Sequence, residues 1–301
     1  MKSRVRITVA GAGFAALTSL KKLRSHLPDA ELTLVAPKAE FIYLPSLIWV
    51  PFGTRSGDDL RFDIQPLLNK LKVKFIEGGV TGISEDGRKL QTTAGDVEND
   101  ALLIATGGRF IKKLPGIENV ITICEGISAA ENMREQINTL HSGIIALGFG
   151  GNPKEPSAMR GGPMFEILFG LDTWLRQQGK RENFQLIFFS PAPQPGKRLG
   201  EKAVKGMLAE MKKRNIDTHL GHKLVSFENN VVKTEGGAIA ADLILFMPGM
   251  TGPAWVQGSP LPLSAGGFVA ADAMAQVAAM ERVYVAGDAG SYPGPDWMPK
   301  Q

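Results

Sequence analysis

The stretch from Arg4 to Leu27 limits the possible folds of this chain more than any other. Arg4-Val5-Arg6-Ile7-Thr8-Val9-Ala10 reads as a strand and runs straight into Gly11-Ala12-Gly13-Phe14-Ala15-Ala16. A helix follows, in which Phe14, Leu17, Leu20, Leu23 and Leu27 recur every three to four residues. That spacing predicts one apolar stripe lying on a sheet. A strand, a glycine turn and a helix in this order make a cradle for a dinucleotide pyrophosphate. Gly11 permits the tight turn, Gly13 lets the backbone approach the phosphates, and Ala16 occupies the third position, where a small residue allows close helix–strand packing. The helix N terminus offers unpaired N–H groups and partial positive charge to the anion. Gly11, Gly13, Phe14, Ala15 and Ala16 are therefore the first candidate cofactor contacts.

A second strand is expected at Glu31-Leu32-Thr33-Leu34-Val35. In a dinucleotide domain it should end in an acid for the ribose hydroxyls. It ends instead in Ala36-Pro37-Lys38, with Glu40 beyond. Either this corner or Glu40 takes the ribose, or the ribose is held loosely. The aromatic, proline-punctuated stretch Phe41 to Phe52 fits two descriptions, core packing or a wall against a flat ring. A short helix over 63–71, a strand over 72–76 and a meander over 79–100 lead to the buried strand Ala101-Leu102-Leu103-Ile104-Ala105. Its end, Ala105-Thr106-Gly107, is where backbone would pass a nucleotide.

The same order then repeats. Gly143 to Leu147 reads as a strand, followed by Gly148-Phe149-Gly150-Gly151, a helix over 163–178, a strand over 185–189, a helix over 201–214 and a strand over 216–220. A second meander closes on Asp242-Leu243-Ile244-Leu245-Phe246-Met247-Pro248-Gly249, which matches Asp100 to Gly107 as an acid, an apolar run and a glycine. The expected fold class is α/β, with two Rossmann-like dinucleotide-binding domains in tandem. The first is assigned residues 1–110 and 240–301, the second 111–239. Near the end, Val283-Tyr284-Val285 is a strand leading to Gly287-Asp288. No helix follows, so a C-terminal part of the fold is expected to be missing from these 301 residues.

Bulk properties exclude several classes. A net charge of +4 without a Lys/Arg block argues against a nucleic-acid binder. No apolar run reaches the roughly 18 residues of a membrane span. One cysteine, Cys124, leaves no intramolecular disulfide, and no signal peptide precedes the first strand, so a cytoplasmic location is expected.

The order Gly11 to Ala16, Ala105-Thr106-Gly107, Gly287-Asp288 resembles the two-dinucleotide-domain flavoproteins. The resemblance implies FAD as cofactor, its pyrophosphate on the first motif and a ribityl hydroxyl on Asp288. Within that superfamily the chain resembles the sulfide:quinone oxidoreductases and the flavoprotein of flavocytochrome c sulfide dehydrogenase. The matching stretches are Leu44-Pro45-Ser46 with Trp49-Val50, Asp58-Asp59 with Phe62, Gly162-Pro163-Met164-Phe165-Glu166, and Met298-Pro299-Lys300. This implies that Pro45 and Ser46 line the flavin, that Glu166 faces the redox centre, and that Lys300 stabilises negative charge on the reduced ring. It also implies a small-molecule electron donor, a quinone or other acceptor, and peripheral attachment to the inner face of the membrane through segments beyond residue 301.

Two departures from the pattern matter. The family oxidises sulfide with a cysteine pair beside the flavin. One member of that pair falls on Arg160, and Cys124 matches only a more peripheral family cysteine, so its candidate catalytic role competes with that of a plain core residue. The second glycine turn is followed by Asn152-Pro153-Lys154-Glu155-Pro156, which breaks the immediate helix that a nicotinamide site uses. Its second strand ends in Phe189-Ser190-Pro191 without an acid. The second domain therefore reads as degenerate for NADH. Two alternatives stay open: a type II NADH:quinone dehydrogenase, and an FAD-binding protein without turnover.

Overall fold

The structure, a computed structural model, describes residues 4–159 and 161–293. Its first unit runs from β1 (Arg6–Ala10) through α1 (Phe14–His26), β2 (Glu31–Ala36), α2 (Gln65–Lys70) and β3 (Val73–Glu77) to β4 (Ala101–Ile104). All pairings are parallel, with Ile7 opposite both Leu32 and Ala101. The strand order β3-β2-β1-β4 is that of a dinucleotide-binding half, and the late strand Val283–Val285 adds beside β4. Ile7 to Ala10 are all buried, as expected for a parallel sheet covered on both faces.

The helix α3 (Ile127–Thr139) bridges to the second unit. There β5 (Gly143–Phe149), α4 (Gly162–Gln177), β6 (Phe184–Ser190), α5 (Glu201–Lys213), β7 (Ile216–Leu220) and β8 (Leu243–Met247) repeat the plan, in sheet order β7-β6-β5-β8. Each unit carries its own three-stranded antiparallel meander before its fourth strand. The chain crosses between units twice, and the crossings pair with each other: Arg109–Phe110 runs antiparallel to Met250–Thr251.

Three expectations change. The boundary at 240 is too early, because β8 pairs with β5 (Leu245 opposite Leu147) and belongs to the second sheet; the return to the first unit follows Met247. The stripe on α1 is narrower than read. Ala16 and Leu20 are fully buried, but Phe14 is 51% and Leu27 46% exposed, since these sit at the helix start and past its end. The helix α3 was not expected at all, although Ile127, Ala130, Met133 and Ile137 form its buried face.

One charged cluster lies inside the second unit. Asp172 on α4 is fully buried and accepts from Arg181 Nε at 2.6 Å, Arg176 Nε at 3.0 Å and Arg214 Nη1 at 3.1 Å. Arg181 also donates to the carbonyls of Phe184, Arg214 and Asn215, which ties α4 to the start of β6 and the end of α5. Burial pushes the Asp172 carboxyl up, but hydrogen bonds from the three arginines outweigh it and hold the group below the usual carboxylate range.

Candidate cofactor site and interdomain cleft

Three stretches far apart in sequence meet at the C-terminal ends of β1 and β4. Gly11 has φ +108°, and a Cβ there would overlap the Ala105 carbonyl oxygen. Its N–H donates to Val35 O at 2.8 Å. Gly287, at φ +70°, lies against α1, so that a Cβ would sit 3.1 Å from the Ala15 Cβ. At Gly108 a Cβ would lie 2.9 Å from the carbonyl oxygens of both Asp288 and Thr251. The backbone thus closes tightly behind the turn.

In front of the turn there is space. Gly13 is the extended N-cap of α1, and no atom lies within 4 Å of where its Cβ would be; the same holds for Gly107. No side chain caps α1 and no acid occupies its first turn. The first-turn N–H groups therefore face an open groove, and the helix itself places no acid there. This donor set fits a dinucleotide pyrophosphate.

The remaining candidates differ in exposure and in partners. Ala36 is buried at the end of β2, its carbonyl accepting from Gly78 N, while Pro37 and Lys38 are exposed beside it. Glu40 is committed to Arg61, whose Nη1 donates to Oε1 at 2.9 Å across a short ladder. Pro45 and Ser46 lie in a 3-10 turn, Leu44–Trp49. The core-packing description of the aromatic stretch holds for part of it. Leu47, Ile48 and Val50 are core, whereas Phe41 and Tyr43 make edge contacts with Phe14 at 4.8 and 5.7 Å. Thr106 Oγ1 accepts from Trp255 Nε1 at 3.1 Å, a partner that nothing in the sequence signals.

A cleft of about 880 Å³ opens between the units. Asp288 and Gly290 line its first-unit side, the start of α4 (Gly162, Pro163, Phe165) its second-unit side. Tyr292, two residues beyond Gly290, packs against the core of the first unit. Its hydroxyl donates to Gly287 O at 3.1 Å, and burial, aided by the negative charge of Asp288, pushes its ionisation up to about 12. Because its folded value is raised, Tyr292 contributes stability that is complete below the ordinary tyrosine value of about 10 and is lost as pH rises from there towards 12. A phenolate absorbance titration should show one of the three tyrosines ionising late, and Tyr292→Phe should remove that step.

The candidate catalytic trio is not gathered here. Glu166 is exposed on α4: helical phase places Met164, Phe165, Ile167 and Leu168 in the core and turns Glu166 outward, and it does not line the cleft. Cys124 is half-buried against the core of the second unit, also away from the cleft lining. Lys300 and Arg160 lie outside the described residues.

The second glycine turn is built differently from the first. A Cβ on Gly249 would overlap the Gly151 backbone, and buried Asn152 donates through Nδ2 to the carbonyls of Met250 and Gly266, both at 2.9 Å. Only at Gly162 does α4 begin. Protein packing therefore fills the place where the first turn is open. Among the described residues no three metal-ligating side chains gather, and no helix is long and apolar enough to cross a membrane.

Two tandem folds of the dinucleotide-binding type, with open space before the first glycine turn and a cleft between them, define the architecture. The chain belongs to the pyridine nucleotide-disulphide oxidoreductase family, whose model matches residues 5–298, and whose members bind FAD. It is 26% identical to the sulfide-quinone reductase of Aquifex aeolicus over 261 residues, covering 82% of this chain and 59% of that protein. Against the type II NADH:quinone oxidoreductase of Staphylococcus aureus it is 32% identical over 124 residues, 40% of this chain and 30% of that one. The solved sulfide:quinone oxidoreductase of Aquifex aeolicus superposes with a TM-score of 0.87 at 23% identity, covering 97% of this chain and 70% of that one. The chain thus spans about three fifths of the length of the sulfide-quinone reductase it matches.

Proposed function

We propose that this chain is the two-dinucleotide-domain part of an FAD-dependent oxidoreductase of the sulfide:quinone oxidoreductase type, which takes two electrons from a small-molecule donor and passes them to a quinone or another acceptor. The observation that carries this reading is the meeting of Gly11, Ala105 and Gly287 around an uncapped helix N terminus. FAD, when bound, supplies the two-electron chemistry. The first turn of α1 holds the pyrophosphate, Ala36, Pro37 and Lys38 flank the ribose, and Ala105, Thr106 and Gly107 form the floor of the groove. Asp288 accepts from a ribityl hydroxyl, Pro45 and Ser46 flank the ring, and Lys300 offsets negative charge there. Phe149, Phe165, Met250 and Phe268 give the cleft an apolar wall on the donor side.

Two observations bear on the donor. The filled second glycine turn argues against NADH. The sole cysteine lies away from the cleft, so a sulfide donor would have to react without a cysteine pair drawn from these residues. Anaerobic titration of the FAD-loaded protein separates the readings. Sulfide or a small thiol should bleach the visible flavin band, and a soluble quinone should restore it. Bleaching by NADH alone would replace this reading with a type II NADH:quinone dehydrogenase. A flavin that no donor bleaches would leave a binding protein without turnover.

A further inference from the structure

We propose that Glu155 is a positioning residue that clamps the segment carrying Asp288 to the glycine turn of the second unit, so that the cleft wall sets the geometry of the cofactor side. This rests on the FAD reading above. Glu155 lies between the second glycine turn and α4, on the wall of the cleft. Both of its carboxylate oxygens are used. Oε2 accepts from Ser264 Oγ at 2.5 Å and from Gly266 N at 3.2 Å, and Oε1 accepts from Ser291 Oγ at 2.7 Å. All three donors are uncharged, and all three come from the chain after it has returned to the first unit.

The contact is tightly fitted. A Cβ on Gly266 would collide with Glu155 Oε2 and lie 3.0 Å from Asn152 Nδ2, so only glycine lets the two segments approach. Asn152 reinforces the same junction through Met250 O and Gly266 O, and Thr251 Oγ1 donates to Gly266 O at 2.7 Å. Ser291 itself belongs to the short strand Gly290–Ser291, which pairs in parallel with Val269–Ala270.

Asp288 is therefore held from two sides. Upstream, Gly287 abuts Ala15 of α1; downstream, Ser291 is anchored to Glu155. Removing the downstream anchor leaves the strand end that carries Asp288 to its pairing with Val269–Ala270, without touching any residue of the phosphate cradle. A carboxylate offers acceptors on both oxygens, whereas an amide offers one acceptor oxygen and an NH₂. In Glu155→Gln the NH₂ can turn to Ser291, whose hydroxyl then accepts, so the three contacts survive as neutral hydrogen bonds without the carboxylate charge.

The test uses the full chain and the variants Glu155→Gln, Ser291→Ala and Ser264→Ala. Two readouts are taken: the FAD dissociation constant, followed by flavin fluorescence, and hydrogen–deuterium exchange over residues 287–293 in the apoprotein. Ser291→Ala should weaken FAD binding about tenfold, the size of one hydrogen bond to a charged group, and should speed exchange over 287–293, while Glu155→Gln, which keeps a neutral hydrogen bond, should fall between it and wild type. Ser264→Ala keeps the Oε1–Ser291 bond and should stay within about twofold of wild type, the ordinary range for a change away from the anchor. An unchanged FAD constant in Ser291→Ala, or faster exchange spread over both units with a falling apoprotein melting temperature, would overturn the proposal. Failure of the wild-type protein to take up FAD would sink the functional reading instead, while the exchange readout would still decide whether the clamp exists.

Discussion

Gly13→Val should leave the chain folded and lose the cofactor. Gly13 has ordinary extended angles, φ −82° and ψ −173°, and apart from its chain neighbours nothing stands within 4 Å of its Cβ position, so a side chain there begins in open space. The space it would fill is the mouth of the groove over the α1 N terminus. FAD affinity should fall at least about a hundredfold, roughly 2.8 kcal/mol, while the melting temperature of the apoprotein stays near wild type. Gly11→Ala gives a contrasting result. Its Cβ would overlap the Ala105 carbonyl and its backbone is at φ +108°, so folding and cofactor should suffer together. FAD titration and thermal unfolding of both variants check this. Wild-type FAD affinity in Gly13→Val would remove the phosphate cradle from the account.

Asp172→Ala should be the most damaging change for stability. It removes the sole carboxylate shared by Arg181, Arg176 and Arg214 and leaves Arg181, whose side chain is 8% exposed, with a buried uncompensated charge. Breaking a buried pair in this way costs about 3–5 kcal/mol. That is a large part of the roughly 5–15 kcal/mol that holds a domain folded. The pH dependence follows from the lowered Asp172 carboxyl. A depressed folded value contributes stability that is present above the unfolded value of about 3.9 and is lost as pH falls through the folded one. Urea unfolding from neutral to acid pH should show a steep acid loss in wild type and a shallower one in the variant. An unchanged urea midpoint at neutral pH would mean that the cluster is energetically idle.

The parts of this molecule set by neighbouring residues were legible in the sequence. The β1–turn–α1 unit is local, and its glycines, small third residue and apolar spacing are contiguous. The tandem repeat was legible for the same reason, because each unit repeats strand, turn and helix in one order. Long-range pairing was harder. Leu243-Ile244-Leu245-Phe246-Met247 is apolar throughout and fits either sheet; only its register with β5 assigns it to the second. Glu166 could have been placed from helical phase alone, since Met164, Phe165, Leu168, Leu171 and Leu175 define the buried face of α4. Asp172 shares that buried face but finds Arg181 and Arg214 on other elements, so its cluster is visible only after folding. The clamp at Glu155 is of the same kind, with partners at Ser264, Gly266 and Ser291 on a segment that returns from the other unit.

The central claim is that the glycine turn at Gly11 to Ala16 holds FAD. Equilibrium reconstitution of the purified apoprotein with FAD tests it most directly. The account predicts a yellow complex of one FAD per chain that Gly13→Val fails to form. A wild-type protein that stays colourless in excess FAD while remaining folded would contradict it.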